Sequence, residues 1–117
     1  DNATPLCQEE IFGPFATCLT YDGIDQAIEI ANQSEFGLVA YLWCSDMPTV
    51  MRVQDALQAG TIWVNTPLAR DLRAPFGGYK NSGVGRTGGL SSRNLFTEEK
   101  VVTMPMQDFP IAKLGLG

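Results

Sequence analysis

Residues 38 to 44 read Leu-Val-Ala-Tyr-Leu-Trp-Cys, a nearly continuous apolar run. A run this short, rich in β-formers and uninterrupted by polar residues, suits a strand covered on both faces, as in a parallel sheet. Its flanks carry the other period. In residues 23 to 34, Ile24, Ala27, Ile28 and Ala31 recur at helical spacing, with Asp22 as an N-cap ahead of them and Gly37 as a left-handed stop behind. Burying Ile24 and Ile28 fully contributes about 1.5–3 kcal/mol each. Beyond the run, Ser45 or Asp46 caps a second helix that tolerates Pro48 in its first turn, and Gly60 closes it. Thr61-Ile-Trp-Val64 then supplies a strand, and Phe15–Tyr21 supplies another before the first helix. The first half thus alternates β-α-β-α-β, which predicts an α/β fold with parallel strands.

The rest of the chain changes character. Residues 65 to 86 hold Pro67, Pro75 and four glycines with little apolar period, so a long loop is expected, and long loops inside compact domains tend to be functional. A short helix is expected over Leu90–Phe96. Glu98–Met104 contains Val101-Val102-Thr103, a β-prone stretch with no hairpin partner, suited to pairing with another chain. The tail from Pro105 to Gly117 carries no regular pattern. The expected organisation is therefore 1–96 as one α/β unit, 97–104 as an oligomerisation strand, and 105–117 as a tail.

Composition narrows the function. The 117 residues are 44% hydrophobic and 18% charged, which is globular rather than disordered. With 8 basic and 13 acidic residues and a net charge of −5, no basic stripe stands out, so nucleic acid is not an expected partner. No apolar run approaches the roughly 18 residues of a membrane span, and no secretory signal pattern opens the chain. Three widely spaced cysteines, Cys7, Cys18 and Cys44, form no Cys-x-x-Cys pair, so neither a zinc site nor a disulfide framework is expected, and a reduced, cytoplasmic setting fits. There is no histidine, which removes a Ser-His-Asp triad, a Cys-His pair and a His-ligated metal.

Two strings carry chemistry. Residues 9 to 14 read Glu-Glu-Ile-Phe-Gly-Pro. A carboxylate accepts two hydrogen bonds from a ribose diol, and an aromatic two residues on can lie against a flat cofactor ring. By residue chemistry alone, a surface Glu beside a core Phe is the more ordinary account of Glu10 and Phe12. Residues 75 to 83 read Pro-Phe-Gly-Gly-Tyr-Lys-Asn-Ser-Gly. Behind them, Gly83-Val-Gly-Arg-Thr-Gly88 spells a literal G-x-G-x-x-G, but a turn-like Tyr-Lys-Asn-Ser precedes it, and Glu98 and Glu99 come too early for the ribose acid. Those glycines are expected to serve tight turns and close packing instead.

Taken together and in this order, the two strings resemble the C-terminal part of NAD(P)-dependent aldehyde dehydrogenases, over roughly residues 7 to 104. The resemblance implies that Glu10 binds the nicotinamide ribose, that Phe12 contacts the nicotinamide, and that Gly13-Pro14 sets the turn aiming them. It implies that the cysteine nucleophile and the glutamate base lie upstream of Glu9, so that no catalytic residue is expected here and the isolated chain is expected to be inactive. In the complete enzyme a Cys thiolate attacks the aldehyde, hydride passes to NAD or NADP, and water hydrolyses the thioester. Cys7, Cys18 and Cys44 lack the nucleophile's context; Cys18 and Cys44 fall in expected strands, and Cys7 lies beside Glu9 and Glu10, which raise rather than lower a thiol pKa.

The loop Asn65-Thr-Pro-Leu-Ala-Arg-Asp-Leu-Arg-Ala-Pro-Phe76 helps line the substrate tunnel in that family. Here it carries Arg70 and Arg73 around Asp71, and an Arg fork matches a carboxylate in bidentate geometry. It looks most like the branch acting on 2-hydroxymuconic and 5-carboxymethyl-2-hydroxymuconic semialdehydes, whose substrates carry carboxylates. That implies Arg70 as the substrate anchor, with pairing of Arg70 or Arg73 to Asp71 or another structural acid as the competing explanation; Phe76 is expected as a tunnel wall or, equally, a core residue. The expected partners are a small aldehyde and further copies of the chain, through the C-terminal strand. Two other readings stand beside this one: one half of a split enzyme, or a free-standing, non-catalytic oligomerisation module.

Overall fold

The computed structural model describes residues 1–110 and Gly115. Helix α1 (Pro5–Gln8) is followed by α2 (Gly23–Asn32), β1 (Phe36–Gly37), β2 (Val39–Leu42), α3 (Met47–Ala56), β3 (Thr61–Val64), β4 (Tyr79–Lys80) and α4 (Gly89–Phe96). The β2-α3-β3 unit is the parallel crossover that the alternating periods predict. Val39 pairs with Thr61 and Leu42 with Val64, and this register sets Tyr41 beside Trp63, their rings stacked 5.1 Å apart. A second, two-stranded antiparallel ladder joins β1 to β4.

Asp46 caps α3 by accepting the Thr49 N–H at 2.9 Å, and Thr49, through its side chain first and this backbone bond second, holds the carboxyl below the usual carboxylate range. Asp22 stands at the N-cap of α2 but makes no side-chain cap; the Gln26 amide oxygen reaches back to the Asp22 N–H instead. The end of α2 is tied by side chains rather than stopped by glycine. Asn32 donates to Ala56 O and accepts from the Gln58 N–H, both at 2.9 Å, and Lys80 donates to Asn32 O and Ser34 O at 2.6 and 2.7 Å. Gly37, expected as a left-handed stop, lies in β1. It is glycine because a Cβ there would come within 2.2 Å of Gln58 O.

The core is small. Only Val50 and Val53, on one face of α3, are buried hydrophobics among the described residues. Ile24 and Ile28 are half-buried, so each realises only part of its transfer free energy. The strand expected over Phe15–Tyr21 is not formed. That segment is extended but unpaired and almost wholly exposed, because no described strand offers it a ladder. The same holds for 97–104: α4 ends at Phe96, and Val101 and Val102, 90% and 73% exposed, have no ladder partner among the described residues. Part of the expected tail, 111–114 and 116–117, lies outside the described residues.

The whole exposes 9927 Å². A compact protein of this mass exposes about 6,200 Å². The radius of gyration is 22.9 Å, against about 13 Å for a compact chain of this length. No helix among the described residues is long and apolar enough to cross a membrane.

Candidate functional site

Side chains of the expected site fall on two separate surfaces. The first is an open groove of about 610 Å³ lined by Cys7, Glu9, Glu10, Phe36, Leu38 and Asn81, among others. Helix α1 forms one bank, held to the end of α2 by Asn2, which donates to Ile30 O at 3.0 Å and to the Gln33 side chain at 2.7 Å. Gln8 returns a bond to Asn2 O at 2.6 Å, so the chain leaves α1 in a fixed direction and sets Glu10 on the groove. Among the described residues the Glu10 carboxylate accepts no hydrogen bond and pairs with no cation.

Phe12 does not line that groove. Its ring is 92% exposed, and its backbone sits at φ 54, in the left-handed region that a bulky residue rarely adopts. The turn expected at Gly13-Pro14 is present, closed by the Phe15 N–H donating to Gly13 O at 2.7 Å, and Phe12 stands just ahead of it. A free carboxylate and an uncovered aromatic face two residues apart fit a ribose diol and a flat ring, so the residues present suit a nicotinamide nucleotide.

The second surface is a small pocket of about 80 Å³ under the 65–76 loop, lined by Trp63, Arg70, Asp71, Leu72, Phe76 and Gly88 among others. The loop is built rather than slack. Asn65, at φ 53, extends the β2–β3 sheet with its amide: Oδ1 accepts the Cys44 N–H at 2.9 Å and Nδ2 donates to Cys44 O at 2.7 Å. Trp63 Nε1 donates to Ala69 O at 2.6 Å. Phe76 and Thr87 exchange backbone bonds of 2.7 and 2.8 Å, and Gly89 N–H donates to Leu72 O at 3.1 Å. Gly88, at φ 94, lets the loop close: a Cβ there would meet Ala74 O at 2.3 Å. The G-x-G-x-x-G string therefore packs a loop, as its context predicts, and α4 opens only after it.

Within this pocket the two arginines part. Arg73 grips Asp71 with Nε at 2.9 and 3.2 Å from its two oxygens and Nη2 at 2.7 Å from Oδ2. That pairing lowers the Asp71 carboxyl pKa and raises that of the Arg73 guanidinium. Arg70 instead lies over the Phe76 ring, 5.7 Å from its centroid, and has no acidic partner among the described residues. The competing explanation, pairing to Asp71, thus holds for Arg73 and not for Arg70. Phe76 is half-buried and forms a wall of the pocket. Trp63 is a lining residue that sequence reasoning placed only in a strand; its signal is the β2–β3 register, which sets it beside Tyr41. Arg86, in the glycine-rich string, is structural. It donates to Gly78 O and Gly85 O at 2.9 and 2.7 Å and covers Tyr79. Cys18 is exposed, while Cys7 and Cys44 are partly so. Among the described residues no acid or cysteine cluster suits a metal.

Comparison with known proteins identifies the family. Residues 1–102 match the aldehyde dehydrogenase family. The chain is 49% identical over 104 residues to the 2-aminomuconic semialdehyde dehydrogenase of Danio rerio, covering 88% of this chain and 21% of that protein. Among solved structures, HpcC from Thermus thermophilus superposes with a TM-score of 0.89 at 33% identity, covering 98% of this chain and 22% of that one. A Mycobacterium tuberculosis aldehyde dehydrogenase complexed with NAD+ superposes with a TM-score of 0.83 at 41% identity, covering 94% and 23%. The chain thus spans about a fifth of the length of the relatives it matches. On its sequence and its fold, the chain belongs to the aldehyde dehydrogenase family.

Proposed function

We propose that this chain is the C-terminal portion of an aldehyde dehydrogenase that oxidises a carboxylated semialdehyde to the acid with NAD or NADP, through a cysteine nucleophile lying outside residues 1–117. Glu10 would hold the nicotinamide ribose through its two carboxylate oxygens, and the open face of Phe12 would lie against the nicotinamide. The bound nucleotide supplies the hydride acceptor. Arg70 orients the substrate by its distal carboxylate, while Trp63 and Phe76 wall the approach and keep water from it. The extended segment 97–104 offers its unpaired backbone to a second subunit. A reduced, cytoplasmic setting suits its free thiols.

One observation carries the substrate class. Arg70 stands free over an aromatic face in a pocket whose only carboxylate among the described residues, Asp71, is committed to Arg73. A guanidinium without an acid, held in place by a ring, is poised for an incoming carboxylate. In the complete enzyme, Arg70→Ala should raise KM for a carboxylated semialdehyde by roughly 10- to 100-fold, the effect of losing a charge-assisted pair. An uncharged aldehyde of the same length should lose much less. Equal losses on both substrates would refute the anchor.

A further inference from the structure

The Asp71–Arg73 pair is not explained by stability. Both side chains are largely in water, 49% and 89% exposed, and such pairs stabilise little. Its geometry is nonetheless closed. Three side-chain contacts from Arg73 and its own backbone N–H, 2.9 Å from Oδ1, turn the carboxylate onto the loop. The next residue back is Arg70, and Asp71 and Arg70 line the same small pocket. An acid at that position, left to itself, has the nearest guanidinium in the pocket to pair with. Once paired, Arg70 would have no charge to offer a substrate, and a free carboxylate in the wall would repel an anion. The loop carries two cations and one anion, so the surplus positive charge falls on whichever arginine Asp71 leaves alone.

We infer that Arg73 is a positioning residue for substrate selection: it sequesters Asp71, and so keeps Arg70 available to the carboxylate of an anionic aldehyde. Arg73 does not itself line the pocket. Its part is to decide which arginine Asp71 takes. The bidentate fork matters here, because a lysine's point charge would not turn both carboxylate oxygens away. The inference rests on the reading of Arg70 as anchor, and the variants below separate the two.

The test uses the complete enzyme carrying this segment, with kcat and KM measured for a carboxylated semialdehyde and for an uncharged aldehyde of equal length. Arg73→Ala should raise KM for the carboxylated substrate roughly 10-fold, with a smaller change in kcat. Adding Asp71→Asn to that variant should restore KM toward the wild-type value, because no acid remains to capture Arg70. A purely structural role for the pair predicts the opposite, since the double variant also lacks it. If Arg70→Ala shifts the preference between the two substrates but Arg73→Ala does not, or if the double variant is as impaired as Arg73→Ala alone, the inference falls while the anchor stands. If Arg70→Ala leaves the preference unchanged, the anchor falls and the inference with it.

Discussion

Replacing Asn65 should loosen the sheet edge from which the 65–76 loop departs. The Asn65 amide closes a two-bond ring with the Cys44 backbone, accepting its N–H at 2.9 Å and donating to its O at 2.7 Å. Each such bond contributes about 1 kcal/mol net, so losing both costs about 2 kcal/mol. Asn65 also sits at φ 53, where asparagine is tolerated and alanine adds about 1 kcal/mol of strain. Asn65→Ala should therefore destabilise this corner by about 3 kcal/mol. Asn65→Asp separates the terms. Aspartate tolerates the backbone and still accepts from the Cys44 N–H, but it cannot donate and sets a carboxylate against a carbonyl. The assay is amide hydrogen exchange at Cys44, by NMR or by mass spectrometry on a peptide spanning Trp43–Asp46. In Asn65→Ala that amide should exchange roughly 10-fold faster or more, since each 1.4 kcal/mol of eased opening is a factor of ten. In Asn65→Asp it should keep most of its protection. Unchanged exchange in Asn65→Ala would refute the claim that this side chain continues the β2–β3 ladder.

Two further outcomes follow from the same geometry. Produced alone, the 117-residue chain should self-associate, because its 9927 Å² of exposed surface includes Phe15, Tyr41 and Trp43, 51%, 46% and 66% exposed; a monodisperse monomer by light scattering would count against it. The Asp46 carboxyl, held below its ordinary value by the Thr49 bond, stabilises α3 above the unfolded pKa near 4 and loses that contribution as pH falls through the folded value. Asp46→Asn should therefore lower Tm at neutral pH and flatten its fall below about pH 4, and parallel wild-type and variant curves there would remove the cap from the account.

Local signals proved legible where the chain contains both partners of an interaction. The run at 38–44 and Thr61–Val64 pair in parallel around α3 because both strands and their crossover are present. Asp46 caps α3 because the N–H it satisfies is three residues away. The helix expected over Leu90–Phe96 forms from Gly89 to Phe96. Signals that need a distant partner were not legible in the same way. Phe15–Tyr21 has the composition of a strand but no strand to pair with among the described residues, so it stays extended. The stop of α2 depends on Asn32 and Lys80, the latter nearly fifty residues on, and no local rule points to it. Short α1 has too little periodic pattern to be seen. In the candidate site, motif resemblance singled out Glu10 and Arg70, which the structure sets on a groove and in a pocket, yet sequence alone could not assign Asp71 to one of its two neighbouring arginines; that choice is a matter of loop geometry.

The shortage of core and the division of the site have one cause. Glu10 and Arg70 lie on separate surfaces, and each surface is open. An enzyme must bring hydride acceptor and aldehyde to one reacting centre within a few ångströms, shielded from water. On the proposed reading, this chain provides one wall for each. The apolar side chains left in water at Tyr41, in β2, and Trp43, just after it, lie at the end of the β2–β3 layer from which the 65–76 loop departs. A further body of protein seated on that layer would bury them and close the space between the two half-sites in one step. Stability and catalysis would then depend on the same contact. A substitution of Trp43 or Tyr41 should accordingly disturb turnover through docking rather than chemistry, lowering the amount of active enzyme without altering the preference among aldehydes that the proposal assigns to Arg70.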